Sequence, residues 1–307
     1  MSSNTTNSCF EPFKAIHKNQ TLYIIGNGPS LNETDLDLIK NSPSIAMNRI
    51  SMIYPNFPEW RPTYYLFCSS NISNPIWGEE WLQSVINAVN EKKTISFIDQ
   101  RCLNLLIKKE IKIHPNIKLI KKMSENKPNI YGDINPKSFS TNILESIDKS
   151  GTTINVALQI AYYLEPKEII FLGADLGWTA NNGSKIDQNH FDKTYKAHIP
   201  DPIKTNFQMR NVHKLSKEIF NRDKPKINFY NASKKTKLDV YPIIDFEKYA
   251  AKGVICEDLK KNKFAKDFWK NIKKGNRFLI KIRYIVFRIK LKIAKFKIFI
   301  KPNLHRH

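Results

Sequence analysis

Apolar and polar residues fall into short alternating blocks along most of this chain. Residues 22–26, Leu-Tyr-Ile-Ile-Gly, form a compact apolar run of the kind that a buried parallel strand takes. The run breaks at once into Asn27-Gly28-Pro29-Ser30, and residues 33–40 are predicted as a short helix. Residues 44–49 and 63–68 are predicted as a second and third strand, each ending in polar groups. A helix over 79–91 and a strand over 94–98 follow. Residues 122–142 are rich in Asn, Pro, Ser and Lys and are predicted as a long surface loop. Residues 154–164 form a strong helix pattern, and 168–173 a strand with a nearly continuous apolar core. Residues 177–212 are polar with little periodicity, which in a compact domain marks a functional or disordered insertion. A helix over 213–220 and a last strand over 226–231 close the series. Strands alternating with helices predict an α/β fold: a Rossmann-like, mostly parallel sheet with helices on both faces and a lid-like insertion.

Length and charge add an organisation to this pattern. The 307 residues suffice for one large domain and an appendage. The expected division is a lead-in over 1–20, a Rossmann-like domain over 21–250 and a tail over 251–307. From residue 260 onward there are 17 Lys and Arg against one acid, Asp267, a net +16 of the chain's +22. In that tail Phe278, Ile282, Ile285, Val286, Ile289, Ile293, Phe296 and Ile300 recur at helical spacing, with Arg277, Lys281, Arg288, Lys292 and Lys295 to one side. This is the pattern of a basic amphipathic helix on an anionic membrane surface, through residues 273–301. Local alternation over 288–293 also leaves a strand open. No nucleic-acid-binding fold accompanies the charge, which argues against nucleic acid as the partner. There is no run of about 20 apolar residues, and Met1 to Thr6 lacks the basic-then-apolar order of a secretory signal. The four cysteines, Cys9, Cys68, Cys102 and Cys256, are scattered, which suggests neither a zinc site nor a disulfide framework. The expected location is cytoplasmic, peripheral on the inner face of the membrane.

Candidate chemistry lies where the strands end. In doubly wound sheets, ligands bind beyond the carboxyl ends of the strands. The turn after the first strand, Gly26-Asn27-Gly28-Pro29-Ser30, lets backbone approach a ligand. It is neither the dinucleotide fingerprint, whose third glycine is missing, nor a P-loop, which needs Gly-Lys-Ser/Thr. Asn48 and Arg49 follow the second strand, Ser69, Ser70 and Asn71 the third, Asp175 the strand at 168–173, and Asn231 and Ser233 the last. A ring of Asn and Ser suits a neutral-to-anionic ligand with many hydrogen-bonding edges, such as cytidine monophosphate. Any one of them alone is as readily a turn or cap. Asp35-Leu36-Asp37 mimics a metal motif but opens a predicted helix, where acids suit the dipole, so no metal is expected.

Three segments in order resemble the bacterial sialyltransferases of glycosyltransferase family 42, over roughly residues 20–245. They are Gly26-Asn27-Gly28-Pro29-Ser30-Leu31, Ser150-Gly151-Thr152-Thr153 with the helix after it, and Lys167 to Asp175 ending in Gly173-Ala174-Asp175. The first is also similar to the domain shared by motility accessory factors and archaeal hydroxymethylpterin pyrophosphokinases. The resemblance implies donor-binding roles for Asn27, Ser30, Asn48 and Asn71, and a turn against the donor at Ser150 and Gly151. It further implies a catalytic histidine on the segment after the Gly-x-Asp strand, where His190, His198 and His213 fall. His190 is favoured, because it sits among polar residues beside Phe191, whereas His213 is expected to begin a helix. The family's two phosphate-stabilising tyrosines have no counterpart, since Gly177-Trp178 and Lys185-Ile186 stand there. Lys185, Arg49 or Tyr195 would then have to supply that stabilisation.

The expected activity is transfer of a sialic acid or related nonulosonate from a CMP-activated donor to a glycan or glycolipid acceptor, with a histidine general base. The donor is a substrate, and no cofactor is expected. The sequence leaves a homo-oligomer open. The alternatives are a hydroxymethylpterin pyrophosphokinase-like enzyme, which would need magnesium and a carboxylate cluster, and a non-enzymatic nucleotide-binding protein that tethers membrane or nucleic acid.

Overall fold

Seven strands run parallel in one sheet of the protein, a computed structural model that describes residues 10–121, 123–126, 135–180, 186–197, 201–252, 267 and 270. The strands are β1 (Thr21–Ile25), β2 (Ser44–Met47), β3 (Tyr64–Phe67), β4 (Ile95–Asp99), β5 (Ile117–Ile120), β8 (Glu168–Leu172) and β9 (Asn228–Asn231). Their order is β5-β4-β3-β2-β1-β8-β9, so the direction of winding reverses between β1 and β8. The register places Tyr23 beside Ile170 and Ile25 beside Leu172. A two-stranded parallel pair, β6 (Met123–Ser124) and β7 (Ile147–Asp148), lies apart from this sheet.

Helices cover both faces, as continuous apolar strands require. On one face α3 (Thr153–Leu164) and α4 (Pro202–Asp223) pack against Leu22, Ile24, Ile45 and Phe171. On the other, α1 (Gly78–Val89) and α2 (Gln100–Lys108), with Phe246 of α5 (Phe246–Lys252), enclose Tyr23, Ile25, Tyr65 and Leu172. Phe10 and Phe13 complete the first face, with the Phe10 ring stacked 4.8 Å from that of Phe97. The Rossmann-like, parallel α/β reading holds. No helix among the described residues is long and apolar enough to cross a membrane.

Four local readings differ. The expected helix over 33–40 is two 3-10 turns, Pro29–Glu33 and Leu36–Ile39. Extended backbone at Thr34 and Asp35 separates them, and the Asp35 carboxylate accepts from the Asp37 N–H at 3.0 Å. Between β4 and residue 121 the chain builds α2 and the edge strand β5, two elements the apolar pattern did not show. The region around 122–142 contributes β6 and a 3-10 turn at Pro136–Ser138. The polar insertion also stops early, because α4 starts at Pro202, eleven residues before His213. Asp201 caps that helix by accepting from the Lys204 N–H at 3.0 Å, and proline occupies the first turn, where its missing N–H costs nothing.

Two compact units divide the chain, Met1–Asn262 and Lys263–His307. Of the second, only Asp267 and Lys270 are described, so the amphipathic reading of residues 273–301 lies outside the described residues.

Candidate functional site

The reversal between β1 and β8 opens a crevice at the carboxyl ends of the strands, where a ligand reaches several strand ends at once. A cavity of about 540 Å³ occupies this place. That is within the range of small-molecule and cofactor pockets, roughly 300–1,000 Å³.

Its floor is an interlock of glycines. The Gly28 N–H donates to the Gly173 carbonyl at 2.9 Å, and the Gly26 N–H to the Leu172 carbonyl at 2.8 Å. A Cβ on Gly26 would stand 2.5 Å from the Gly173 oxygen, and one on Gly28 only 2.2 Å from Asp175 Oδ2. Gly173 itself has φ +60, which glycine adopts without strain. The two strand exits therefore meet backbone against backbone. Asp175 seals the junction by accepting from the Ser30 N–H at 2.8 Å. Burial pushes the Asp175 carboxyl above its ordinary value, with the Ser30 N–H hydrogen bond and the charge of Lys237 opposing.

Around this floor stand Asn27 and Ser30 from the β1 turn, Asn48 after β2, Ser69 and Asn71 after β3, Gly151 to Ile154 at the start of α3, and Asp175. Asn48 adopts φ +56, a left-handed conformation that Asn tolerates. Its backbone is held there, with its N–H donating to Leu66 O at 3.1 Å and its carbonyl accepting from Tyr65 Oη at 2.6 Å. Two acceptors at the cavity, Asn27 Oδ1 and Asp175 Oδ1, are buried without a hydrogen-bond partner among the described residues. Buried polar atoms are normally satisfied, so these suit a ligand that brings donors, such as sugar hydroxyls or an exocyclic amine.

The insertion supplies the titratable group. His190 lines the cavity, and its Nδ1 lies 2.9 Å from Asp187 Oδ2. The other Asp187 oxygen accepts from the backbone N–H groups of Asn189 at 2.8 Å and His190 at 3.1 Å. Burial alone would raise the Asp187 pKa, but these donors and the imidazole outweigh it and hold the carboxyl below its ordinary value. For His190, burial dominates and lowers the pKa below 6.5, while Asp187 opposes and Arg49 adds to the lowering. An ionised Asp187 accepts a hydrogen bond from Nδ1–H, so the neutral ring keeps its proton there and Nε2 is the lone-pair nitrogen. The Tyr195 ring stacks on His190 at 3.7 Å and 10°, and Trp178 packs edge-on at 4.8 Å.

Arg49 anchors this segment and does not line the cavity. Its guanidinium donates to the carbonyls of Thr194, at 3.3 Å, and Tyr195, and through Nε to Ser84 Oγ at 3.1 Å. Trp81 Nε1 donates to Lys196 O at 2.8 Å, and the Phe191 N–H to Asn27 O at 2.9 Å. The middle of the insertion is thereby docked over the β1 turn, with Phe191 and Tyr195 buried.

The structure thus brings together Gly26, Asn27, Gly28, Ser30, Asn48, Asn71, Gly151, Asp175 and His190 at one cavity. Ser150 is fully buried beneath it, its N–H donating to Asp148 Oδ1 at 2.8 Å, so Gly151 carries that turn to the surface of the cleft. His198 and Lys185 lie outside the described residues. His213 reaches the cavity wall from inside α4, not from a helix start. Its Nδ1 lies 3.1 Å from Tyr241 Oη, and its ring packs edge-on against Phe171. Among the described residues, no three His, Cys, Asp or Glu side chains are grouped to hold a metal.

Burial drives the His213 pKa down to about 3. The unfolded chain protonates this residue near pH 6.5, while the folded chain resists until about pH 3. Stability from this residue is therefore present above 6.5 and declines as pH falls, by up to about 1.4 kcal/mol per pH unit. Urea denaturation at pH 7 and pH 5 should show a smaller acid loss for His213→Gln than for the wild type. Equal losses would remove His213 as a source of the acid lability.

No protein-family model matches the sequence, and no curated protein matches it. Among solved structures, the fold is similar to the MAf glycosyltransferase from Magnetospirillum magneticum AMB-1. That likeness has 13% identity and a TM-score of 0.46, and covers 85% of this chain and 38% of that one. It is also similar to a point variant of the sialyltransferase CST-II in complex with CMP, at 15% identity and a TM-score of 0.37, over 71% of this chain and 82% of that one. At these values neither likeness carries an argument about activity. This chain spans well under half of the MAf protein's length.

Proposed function

We propose that this protein is a glycosyltransferase that moves a sialic acid or related nonulosonate from a CMP-activated donor to a glycan hydroxyl. One observation carries the reading. A neutral histidine, oriented by a buried carboxylate 2.9 Å away, lines the same cavity as a glycine turn and a ring of Asn and Ser side chains at a sheet switch point. The sequence resemblance to the family 42 sialyltransferases supplies the donor class.

In this reading the nucleotide lies over the β1 turn. Asn27 Oδ1 and Asp175 Oδ1 accept from its sugar or base. His190 Nε2 takes the proton of the acceptor hydroxyl while Asp187 retains the Nδ1 hydrogen bond, stabilising the imidazolium that forms. The acceptor oxygen bonds to the anomeric carbon as the bond from that carbon to the phosphate oxygen breaks. The electron pair leaves with CMP.

A thermal-shift comparison of CMP, UDP, GDP and ATP tests the donor class. CMP should raise Tm most, and Asn27→Ala and Asn48→Ala should each reduce that rise. Equal stabilisation by ATP, or none by CMP, would overturn it.

A further inference from the structure

Transfer from a nucleotide-sugar leaves negative charge on the departing phosphate, and a preorganised cation beside it stabilises that charge where water is scarce. Arg49 is turned into the insertion, and the Tyr195 ring is covered by His190. Among the described residues that line the cavity, the basic side chains other than histidine are Lys235 and Lys237. Both come from the loop after β9.

That loop is fastened to the exit of β8. The Ala174 N–H donates to Ser233 Oγ at 3.0 Å, and Asn231 Nδ2 to the Ala174 carbonyl at 3.2 Å. Thr236 Oγ1 lies 3.0 Å from the Ala174 oxygen and 3.1 Å from that of Asp175. The Lys237 N–H donates to the Asp175 carbonyl at 2.7 Å. Its side chain then runs along Gly177. A Cβ at Gly177 would stand 3.0 Å from Lys237 Cδ, 3.2 Å from Cγ and 3.5 Å from Cε. Backbone and stem are thus both positioned beside the cleft, where the Lys237 charge also acts on the Asp175 carboxyl. Lys235 is exposed at the rim and pairs with Glu33 at 3.3 Å, a surface arrangement of small value.

We infer that Lys237 is the cation that holds the phosphate of the nucleotide donor and takes up the charge that develops on it as the sugar leaves. The inference rests on the donor reading above and assigns the phosphate end of the cleft to the β8 and β9 exits, leaving the acceptor to the His190 side. Lys235 contributes only to the local potential.

Calorimetric titration of the full chain with CMP and with cytidine tests this. The two ligands differ by the phosphate alone. Wild type should bind CMP at least tenfold more tightly than cytidine. Lys237→Met should lose at least tenfold in CMP affinity with cytidine affinity unchanged, whereas Lys235→Met should lose threefold or less. Lys237→Arg keeps the charge and should retain most of the CMP affinity. A Lys237→Met protein that keeps the wild-type ratio of CMP to cytidine affinity overturns the assignment. Failure of the wild type to bind either ligand overturns the donor reading, and this inference with it.

Discussion

Replacing His190 by alanine should lower kcat by about 10²-fold or more while CMP affinity stays within a factor of about three, as removal of a general base requires. The ring meets the acceptor proton and no part of the nucleotide in this account, so binding and chemistry separate. The pH profile gives the sign. Burial holds the His190 pKa below 6.5, so the neutral, competent form prevails at pH 7 and activity falls as pH drops through that lowered value. Asp187 raises the His190 pKa, and removing its charge makes the ring less basic. Asp187→Asn should therefore move the acid limb to lower pH and reduce the plateau. Steady-state rates from pH 4.5 to 8 on the wild type and both variants check this. An unchanged plateau for His190→Ala would remove the residue from catalysis.

The second large effect is expected at Gly28. An alanine Cβ would lie 2.2 Å from Asp175 Oδ2 and 2.7 Å from the Gly173 carbonyl oxygen. The carbonyl already accepts the Gly28 N–H, and the carboxylate already accepts the Ser30 N–H. Neither can withdraw without breaking the junction of β1 with β8. Overpacking of this kind costs about 1–3 kcal/mol. Gly28→Ala should thus lower stability by that order and weaken CMP binding at least tenfold, because the displaced groups form the floor of the cleft. Denaturant midpoints and calorimetry read both effects. An alanine variant that keeps wild-type stability and affinity would show that the strand exits do not meet as described.

Some of this architecture was legible in sequence, because it rests on local pattern. The runs that became β1 and β8 are apolar after their first residue, as buried parallel strands must be, and both lead into glycine before a polar turn. The helix α3 carries its buried positions almost without interruption. By contrast, α2 buries only Cys102 and Leu106, and β5 is a half-exposed edge strand, so neither gave a clear period. Their readable signal was Asp99, which caps α2 by accepting from the Cys102 N–H at 2.8 Å. The start of α4 was marked by Asp201-Pro202, but the polar residues that follow masked it. His190 could be singled out from its surroundings, and Asp187 stood three residues before it. That the two meet follows from a turn closed by the Asn189 and His190 N–H groups, which spacing alone does not fix. Arg49 looked like a ligand-facing residue after β2. Its partner Tyr195 is 146 positions away, and such a contact leaves no local trace.

Release of CMP from a CMP-activated nonulosonate, followed in the presence of a glycan acceptor, tests the central claim most directly. Wild type should release CMP in step with formation of the glycosylated product, and His190→Ala should release it at least about 10²-fold more slowly under the same conditions. CMP release that is absent from the wild type across glycan acceptors, or that proceeds equally in the two proteins, would contradict the account.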